Sequence, residues 1–369
     1  MCAGCESERH DVRMSSRPAE SLLGAELVDG WRVVDRIPRG PDATGGTQSV
    51  AYLVERVSAA GVEQGFCKAL DFASVRDIAK NNSIPIVDAL QLLTAAYTFE
   101  RDLVLDCAGI RMRNIVRGIA AGEYFVDDPT VDALLSSVPY IIFERADGDV
   151  RSQLATGDFD DSWRLRVLHG ASNGLRQLHQ SGIFHQDLKP SNVMTVGRMS
   201  KLGDLGRASR LDRAGAWDGP TIAGDRTYAP PELLYGEYHL DDRVRRLATD
   251  LYHIGSLAFF LFGGSGLTAL LLADLGPTFH WRTWPRDYRN VLPYMRGAFD
   301  RALVALEPSL PAGIRMDLSQ LIRELADPDP LLRGRAGIGT GRYSMERYVS
   351  VLDRIARRCE IALRLPTRS

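Results

Sequence analysis

Trp31 to Ile37 alternates apolar and polar residues in the way of a strand, and after Asp147-Gly148-Asp149 the apolar residues recur every third or fourth. A period of two belongs to a strand with one buried face and a period near 3.6 to a helix with a buried stripe. A strand-rich stretch with one long helix before residue 147 and a mainly helical pattern after it predict a small sheet-based lobe followed by a larger, mainly helical one, an α+β chain. In the small lobe, residues 31–37, 49–55, 65–70, 114–119 and 139–143 read as five strands. Ile86, Leu90, Leu93, Tyr97, Leu103 and Val104 recur near helical spacing and predict one long amphipathic helix over residues 85–107. In the large lobe, Trp163, Val167, Ala171, Leu175 and Leu178 share one face of a helix that ends near Gly182. The boundaries that follow are a flexible tail over 1–26, the small lobe over 27–146, the large lobe over 147–336 and a helical extension over 337–369.

Composition narrows the partners. With 369 residues, 45% of them hydrophobic, the chain can bury a sizeable core. A formal net charge of -2 leaves no basic stripe for neutralising phosphates along a nucleic acid and no polybasic membrane patch, so small-molecule or protein substrates are expected. Five scattered cysteines, Cys2, Cys5, Cys67, Cys107 and Cys359, argue against a disulfide framework and for a reducing compartment, here the cytoplasm. Cys2 and Cys5 form a lone CxxC without a second pair to complete four ligands, and the first residues lack the apolar core of a signal peptide. The run over 251–273 is long enough to span a bilayer. Gly263-Gly264-Ser265-Gly266 divides it, however, and Asp250 and Asp274 flank it without basic anchors, so a buried core helix is expected and no membrane span.

Chemistry concentrates in His185-Gln186-Asp187-Leu188-Lys189-Pro190-Ser191-Asn192. In phosphoryl transfer a protein orients the attacking hydroxyl, neutralises charge on the moving group and holds Mg²⁺. Asp187 suits the first task, Lys189 the second and Asn192 the third. Asp204, in Lys201-Leu-Gly-Asp204-Leu205-Gly206, follows a short strand and is released by a glycine; beside Asn192 it suits Mg²⁺, which needs few protein ligands because phosphate oxygens and water complete its octahedron. Only four lysines occur, Lys68, Lys80, Lys189 and Lys201, beside a large excess of arginine. A lysine kept in such a chain points to a need for a compact ammonium.

On these residues the chain resembles the protein kinase family over residues 27–336, in particular bacterial kinases of the eukaryotic-like Ser/Thr type. His185 to Asn192 resembles the family's H-R-D-L-K-x-x-N loop, Asp204-Leu205-Gly206 its D-F-G and Pro230-Pro231-Glu232 its A-P-E. Asp250-Leu-Tyr-His-Ile-Gly255 resembles the start of the buried central helix, and Asp329-Pro-Leu-Leu-Arg333 the segment whose arginine pairs with the A-P-E glutamate, implying a buried Glu232–Arg333 pair. The resemblance implies a bilobal kinase-like fold using ATP and Mg²⁺ on a protein acceptor, with Asp187, Lys189, Lys68 and Glu100 as catalytic residues and Asn192 and Asp204 on the metal. Lys68 would contact the ATP phosphates with Glu100 as its partner, in preference to Asp88 or Asp102 on the same helix. Gly45 and Gly46 would approach the phosphates, Ala51 would cover the adenine, and the backbone at Glu144 and Ala146 would pair with its edge behind Phe143.

Three departures stand out. Thr44-Gly45-Gly46-Thr47-Gln48-Ser49 keeps only the middle glycine of G-x-G-x-x-G, Gln186 replaces the arginine that holds a phosphorylated loop, and Asp225 stands at the family's specificity threonine. Ser209, Thr221 and Thr227 are the hydroxyls of the loop that could accept phosphate. An active Ser/Thr protein kinase that also phosphorylates itself is the leading expectation. A scaffold with weakened nucleotide binding and a small-molecule kinase of the aminoglycoside type are the alternatives.

Overall fold

In a computed structural model, the structure describes residues 17–38, 48–59, 61–127, 136–218, 222–284, 287–337, 339 and 341–364. These form two compact units, one of residues up to Leu93 with Ala120–Phe143, the other of Thr94–Ile119 with the residues from Glu144 onward.

Strands β1 (Arg32–Arg36), β2 (Ser49–Ser58), β3 (Gly61–Leu70), β4 (Gly118–Phe125) and β5 (Ser137–Glu144) form one sheet in the order β1-β2-β3-β5-β4. Strands β1/β2 and β2/β3 pair antiparallel, with a bulge between Val33 and Asp35. Val50, Tyr52 and Val54 of β2 are buried and alternate with less buried neighbours, as do Cys67 and Ala69 of β3, because successive side chains leave opposite faces of the pleat. Residues 17–26, assigned to the tail on sequence grounds, include a packed stretch. Ala19, Leu22 and Ala25 are buried, and the Tyr52 hydroxyl donates to the Ala19 carbonyl at 2.6 Å. The fourth strand starts later than the expected residue 114. Asn114 to Val116 instead bridge to Leu202, with Val116 N–H donating to the Leu202 carbonyl and Leu202 N–H to that of Asn114, both at 2.8 Å.

Two helices follow β3. Helix α1 (Val75–Asn82) escaped the periodicity because it carries a single apolar triplet, Val75, Ile78 and Ala79, before Ser83 turns left-handed at φ 54°. Helix α2 (Ile86–Gly109) is the long helix expected, on a shifted face. Ile86 and Leu90 are exposed, while Ala89, Leu93, Ala96, Phe99, Leu103, Val104 and Cys107 carry the buried stripe.

The second unit holds α3 (Val150–Thr156), α4 (Asp161–Gln180), α5 (Pro231–Leu234), α6 (Asp242–Gly263), α7 (Leu267–Leu275), α8 (Tyr288–Leu306), α9 (Arg315–Ala326) and α10 (Met345–Arg364). Short strands β6 (Gly148–Asp149), β7 (Ile183–Phe184), β8 (Val193–Val196), β9 (Met199–Leu202) and β10 (Ser209–Arg210) frame the loops between α3 and α5. Helix α4 starts where the Asp160 carboxylate accepts from Trp163 N–H at 2.7 Å, and α6 starts on the same device, Asp241 accepting from Val244. At the other end of α6, Gly264 adopts φ 77°, and the apolar run continues as α7 after a bend of 84°. Among the described residues no single helix is long and apolar enough to cross a membrane. The C-terminal helix α10 packs on α4, burying Tyr348, Leu352, Ile355 and Ala356, with Arg166 of α4 held by Glu360 at 2.6 Å and Asp353 at 3.0 Å.

Helix α6 is the buried axis of this unit: Leu251, Tyr252, Ile254, Leu257 and Phe259 are fully or almost fully inaccessible. Gly255 lets α9 approach, since a Cβ there would lie 2.4 Å from the Ala326 Cβ. Gly255→Leu is expected to destabilise the protein by roughly 1–3 kcal/mol through overpacking, measured by chemical denaturation.

Candidate active site

The loop from His185 to Asn192 is held from beneath by Asp250 of α6. This fully buried carboxylate accepts from His185 N–H at 3.0 Å and from Gln186 N–H at 2.9 Å, and lies 2.8 Å from His179 Nε2. Burial pushes its carboxyl up, but the hydrogen bond from His179 and nearby histidines outweigh that and hold it below the ordinary carboxylate range. Two amides donating to one carboxylate force a tight turn, and Gln186 takes φ 62° within it. Its side-chain amide donates to the Arg246 carbonyl at 2.9 Å and to Asp250 at 3.1 Å, so it reinforces the same anchor. His185 is also structural. Asp187 N–H donates to its Nδ1 at 3.3 Å, which leaves the proton on Nε2, 3.1 Å from the Gly203 carbonyl.

The anchored turn presents the chemistry. Asp187 and Lys189 are both buried, with the Lys189 ammonium 3.6 Å from Asp187 Oδ2. Burial is the main influence on Asp187 and raises its carboxyl above the ordinary range, against the pull of Lys189 and of a hydrogen bond from Asp225 N–H at 2.7 Å. Asn192 donates from its amide nitrogen to the Asp187 carbonyl at 2.7 Å. Strand β9 delivers Asp204 at its end, where the residue takes the left-handed φ of 54°, and Gly203 N–H donates to the Asn192 carbonyl at 2.9 Å, tying the two segments together.

Asp225 completes this cluster, and sequence reasoning noted it only as a departure. Its carboxylate lies 3.4 Å from the Lys189 ammonium and accepts from Thr227 N–H and Oγ1. Burial pushes Asp225 up, but the Thr227 hydrogen bonds and Lys189 bring it below the ordinary range, so it is ionised at neutral pH. Lys189 is thus shared between two carboxylates. An acid where a neutral hydroxyl was expected is visible in the sequence only to a reader who already knows that position 225 returns to Lys189.

Arg207, three residues after Asp204, lies with its guanidinium 3.5 Å over the Trp217 ring. Burial pulls it below its ordinary value even though the Asp187 and Asp204 carboxylates face it. Glu100 of α2 is buried, and a Cβ built at Gly206 would sit 3.2 Å from its Oε2, so the helix touches the Asp204-Leu205-Gly206 turn. In the first unit, Lys68 of β3 is directly opposite Ala51 of β2, which puts the two on one face of the sheet. Gly45 and Gly46 lie outside the described residues, as does Thr221. At the end of β5, Glu144 N–H donates to the Arg117 carbonyl at 2.9 Å and the Glu144 carboxylate pairs with Lys201 at 2.6 Å. The Glu144 N–H is thus already committed to the Arg117 carbonyl. Ala146 follows in the coil before β6.

Among the described residues no cluster of three or more His, Cys, Asp or Glu side chains forms a metal cage. Far from the cluster, Arg333 and Glu232 form the expected pair as a two-pronged fork at 2.7 and 2.9 Å, with Arg333 fully inaccessible.

Fold and site together resemble the catalytic part of a protein kinase. Comparison with known proteins agrees: residues 106–268 match the family model described as the protein kinase domain. A Wee1-like protein kinase of Oryza sativa subsp. japonica is 32% identical over 172 residues, covering 47% of this chain and 26% of the relative. The Wee1-like protein kinase of Arabidopsis thaliana is 30% identical over 174 residues, covering 47% and 27%. Inhibitor of nuclear factor kappa-B kinase subunit alpha of Xenopus laevis is 27% identical over 240 residues, covering 62% and 30%. The chain thus spans between 26% and 30% of these relatives. The likeness supports a protein kinase, and the α+β architecture of a sheet-based and a helical part is that of the bilobal kinase fold.

Proposed function

We propose that this chain is an ATP- and Mg²⁺-dependent protein kinase that transfers the γ-phosphate to Ser and Thr hydroxyls of a protein acceptor and of itself. The observation that carries the proposal is the buried Asp187–Lys189 pair at 3.6 Å, on a loop anchored by Asp250 and tied through Asn192 to Asp204. Asp187 orients the acceptor hydroxyl and takes its proton as its oxygen bonds to the γ-phosphorus and the γ-phosphorus–oxygen bond to the departing ADP breaks. Lys189, already balanced between Asp187 and Asp225, offsets charge on the moving phosphoryl group. Asn192 and Asp204 would hold Mg²⁺, which when bound neutralises the phosphate oxygens. Lys68 with Glu100 would position the ATP phosphates, Gly45 and Gly46 would cover them, and Ala51 with the Glu144 and Ala146 backbone would flank the adenine. The lobe boundaries at 27, 147 and 337 belong to this proposal as well.

Ser/Thr acceptors are favoured by Lys189 in the loop, and a cytoplasmic setting by the buried free thiols of Cys67, Cys107 and Cys359. The matching relatives named above are eukaryotic, so the bacterial type rests on the motif pattern alone.

Incubation with γ-labelled ATP, Mg²⁺ and a mixed protein acceptor should yield labelled phosphoserine and phosphothreonine. The acid limb of the rate should fall at a higher pH than an ordinary carboxylate gives, because Asp187 must be ionised and burial raises its pKa. Label on tyrosine alone, or on a sugar with no phosphoprotein, would remove the Ser/Thr assignment.

A further inference from the structure

The segment that runs from Asp204 to Asp218 is stitched down at both edges by charge. Toward α2, Arg210 reaches Asp106 at 2.7 Å, Arg213 reaches Asp102 at 2.8 Å, and Gly215 packs against Phe99. Toward α6, Arg246 lies 3.5 Å from the Asp218 carboxylate and donates to the Arg210 carbonyl at 3.4 Å. Each of the two α2 pairs has one exposed partner, Asp106 and Arg213, and carries little energy. The α6 contact differs, since Arg246 and Asp218 keep only 11% and 18% of their side-chain surface. A cation this buried needs a counter-ion, and losing it leaves an uncompensated charge. Asp242 approaches the same guanidinium only to 4.0 Å and is itself 62% exposed, so Asp218 is the better-buried anion.

A cavity of about 30 Å³ lies beside the pair, lined by Gln186, Ser209, Trp217 and His253 among others. That volume suits a water or two. Ser209 Oγ and His253 Nδ1 in its wall have no hydrogen-bond partner within the protein among the described residues, which is what a bridging water would satisfy. Burial holds His253 down at about 4, so it adds no positive charge at neutral pH. Asp218 also caps its own turn, accepting from Gly215 N–H at 2.8 Å, and thereby fixes Trp217, on which Arg207 is stacked beside Asp187 and Asp204.

We propose that Asp218 and Arg246 are a positioning pair that orders the 204–218 segment as a resident carboxylate–guanidinium contact, so that the catalytic cluster is assembled without phosphorylation of the loop. The effect on transfer rests on the kinase function proposed above; the ordering of the segment does not.

The test pairs two readouts on the full chain: amide hydrogen exchange over residues 207–218, and the turnover number for acceptor phosphorylation. Phosphatase-treated wild type should keep both its exchange protection and its rate. Asp218→Asn and Arg246→Gln should each lose protection there and lose about tenfold in kcat, while Asp218→Glu restores both. Should Arg246→Gln fail to fold, Asp218→Asn carries the test, because its side chain lies at the edge of the segment. Loss of protection on phosphatase treatment, or unchanged exchange in Asp218→Asn, would overturn the pairing. Wild type that transfers no phosphate would remove the kinase function, yet the exchange comparison would still decide for or against the pair.

Discussion

Asp187→Asn is expected to lower phosphoryl transfer by about 10² to 10⁴-fold, the range for loss of a positioned proton acceptor, and to raise the melting temperature at neutral pH. The two effects share one cause. Burial holds the Asp187 carboxyl above the ordinary range, so its folded-state pKa exceeds its unfolded one. Such a group favours the fold while protonated, below the unfolded value, and that contribution is lost as pH rises through the raised folded value. At neutral pH the ionised side chain therefore destabilises the protein, and the neutral amide relieves it while still accepting from Asp225 N–H through its oxygen. The gap in melting temperature should close as the pH falls through the raised pKa. Thermal melts from pH 7 into the acid range, beside a transfer assay, check both halves. A variant that is both slower and less stable at pH 7 would mean that Asp187 is a structural residue.

Arg333→Met should produce the largest loss of stability, about 3–5 kcal/mol, because it strands Glu232 as a buried unpaired charge. Arg333 does more than pair with Glu232: it donates to the Ala248 carbonyl at 3.1 Å and from Nε to the Asp327 carbonyl at 3.0 Å, with Tyr252 stacked 4.9 Å below. It therefore bolts α5 to α6 and to the turn after α9. Adding Glu232→Leu to Arg333→Met should recover a substantial part of the loss, since replacing both charges with apolar groups leaves none stranded. Urea denaturation of the two single variants and the double variant gives the comparison. Additive losses would show that the pair's electrostatics are not what holds this corner.

Much of this architecture is legible in the chain because its chemistry is local. Asp187, Lys189 and Asn192 lie within one turn, so spacing alone brings them together, and the glycine cluster at 263–266 announces the bend between α6 and α7. Helix α2 is visible by period, but its face is not. Ile86 and Leu90 fit the pattern and are exposed, because the sheet and loops that decide burial are distant in sequence. The same holds for the packed stretch around Leu22, whose partners include Tyr52, and for α10, which reads as a helix but whose packing on α4 depends on Arg166 far upstream. Long-range charge pairing is the least legible element of all. Nothing local marks Asp225 as a partner of Lys189 or Asp218 as a partner of Arg246; each is one acid among the 47 Asp and Glu residues of the chain.

The chemistry proposed for the loop and the Asp204 turn is tested most directly by following label from γ-labelled ATP onto the protein itself, in wild type and in Asp204→Asn, with Mg²⁺ present and with Mg²⁺ chelated. Wild type should incorporate label only with Mg²⁺, and Asp204→Asn should incorporate essentially none under either condition. Equal labelling of the two proteins, or labelling of wild type that survives chelation, would contradict the account.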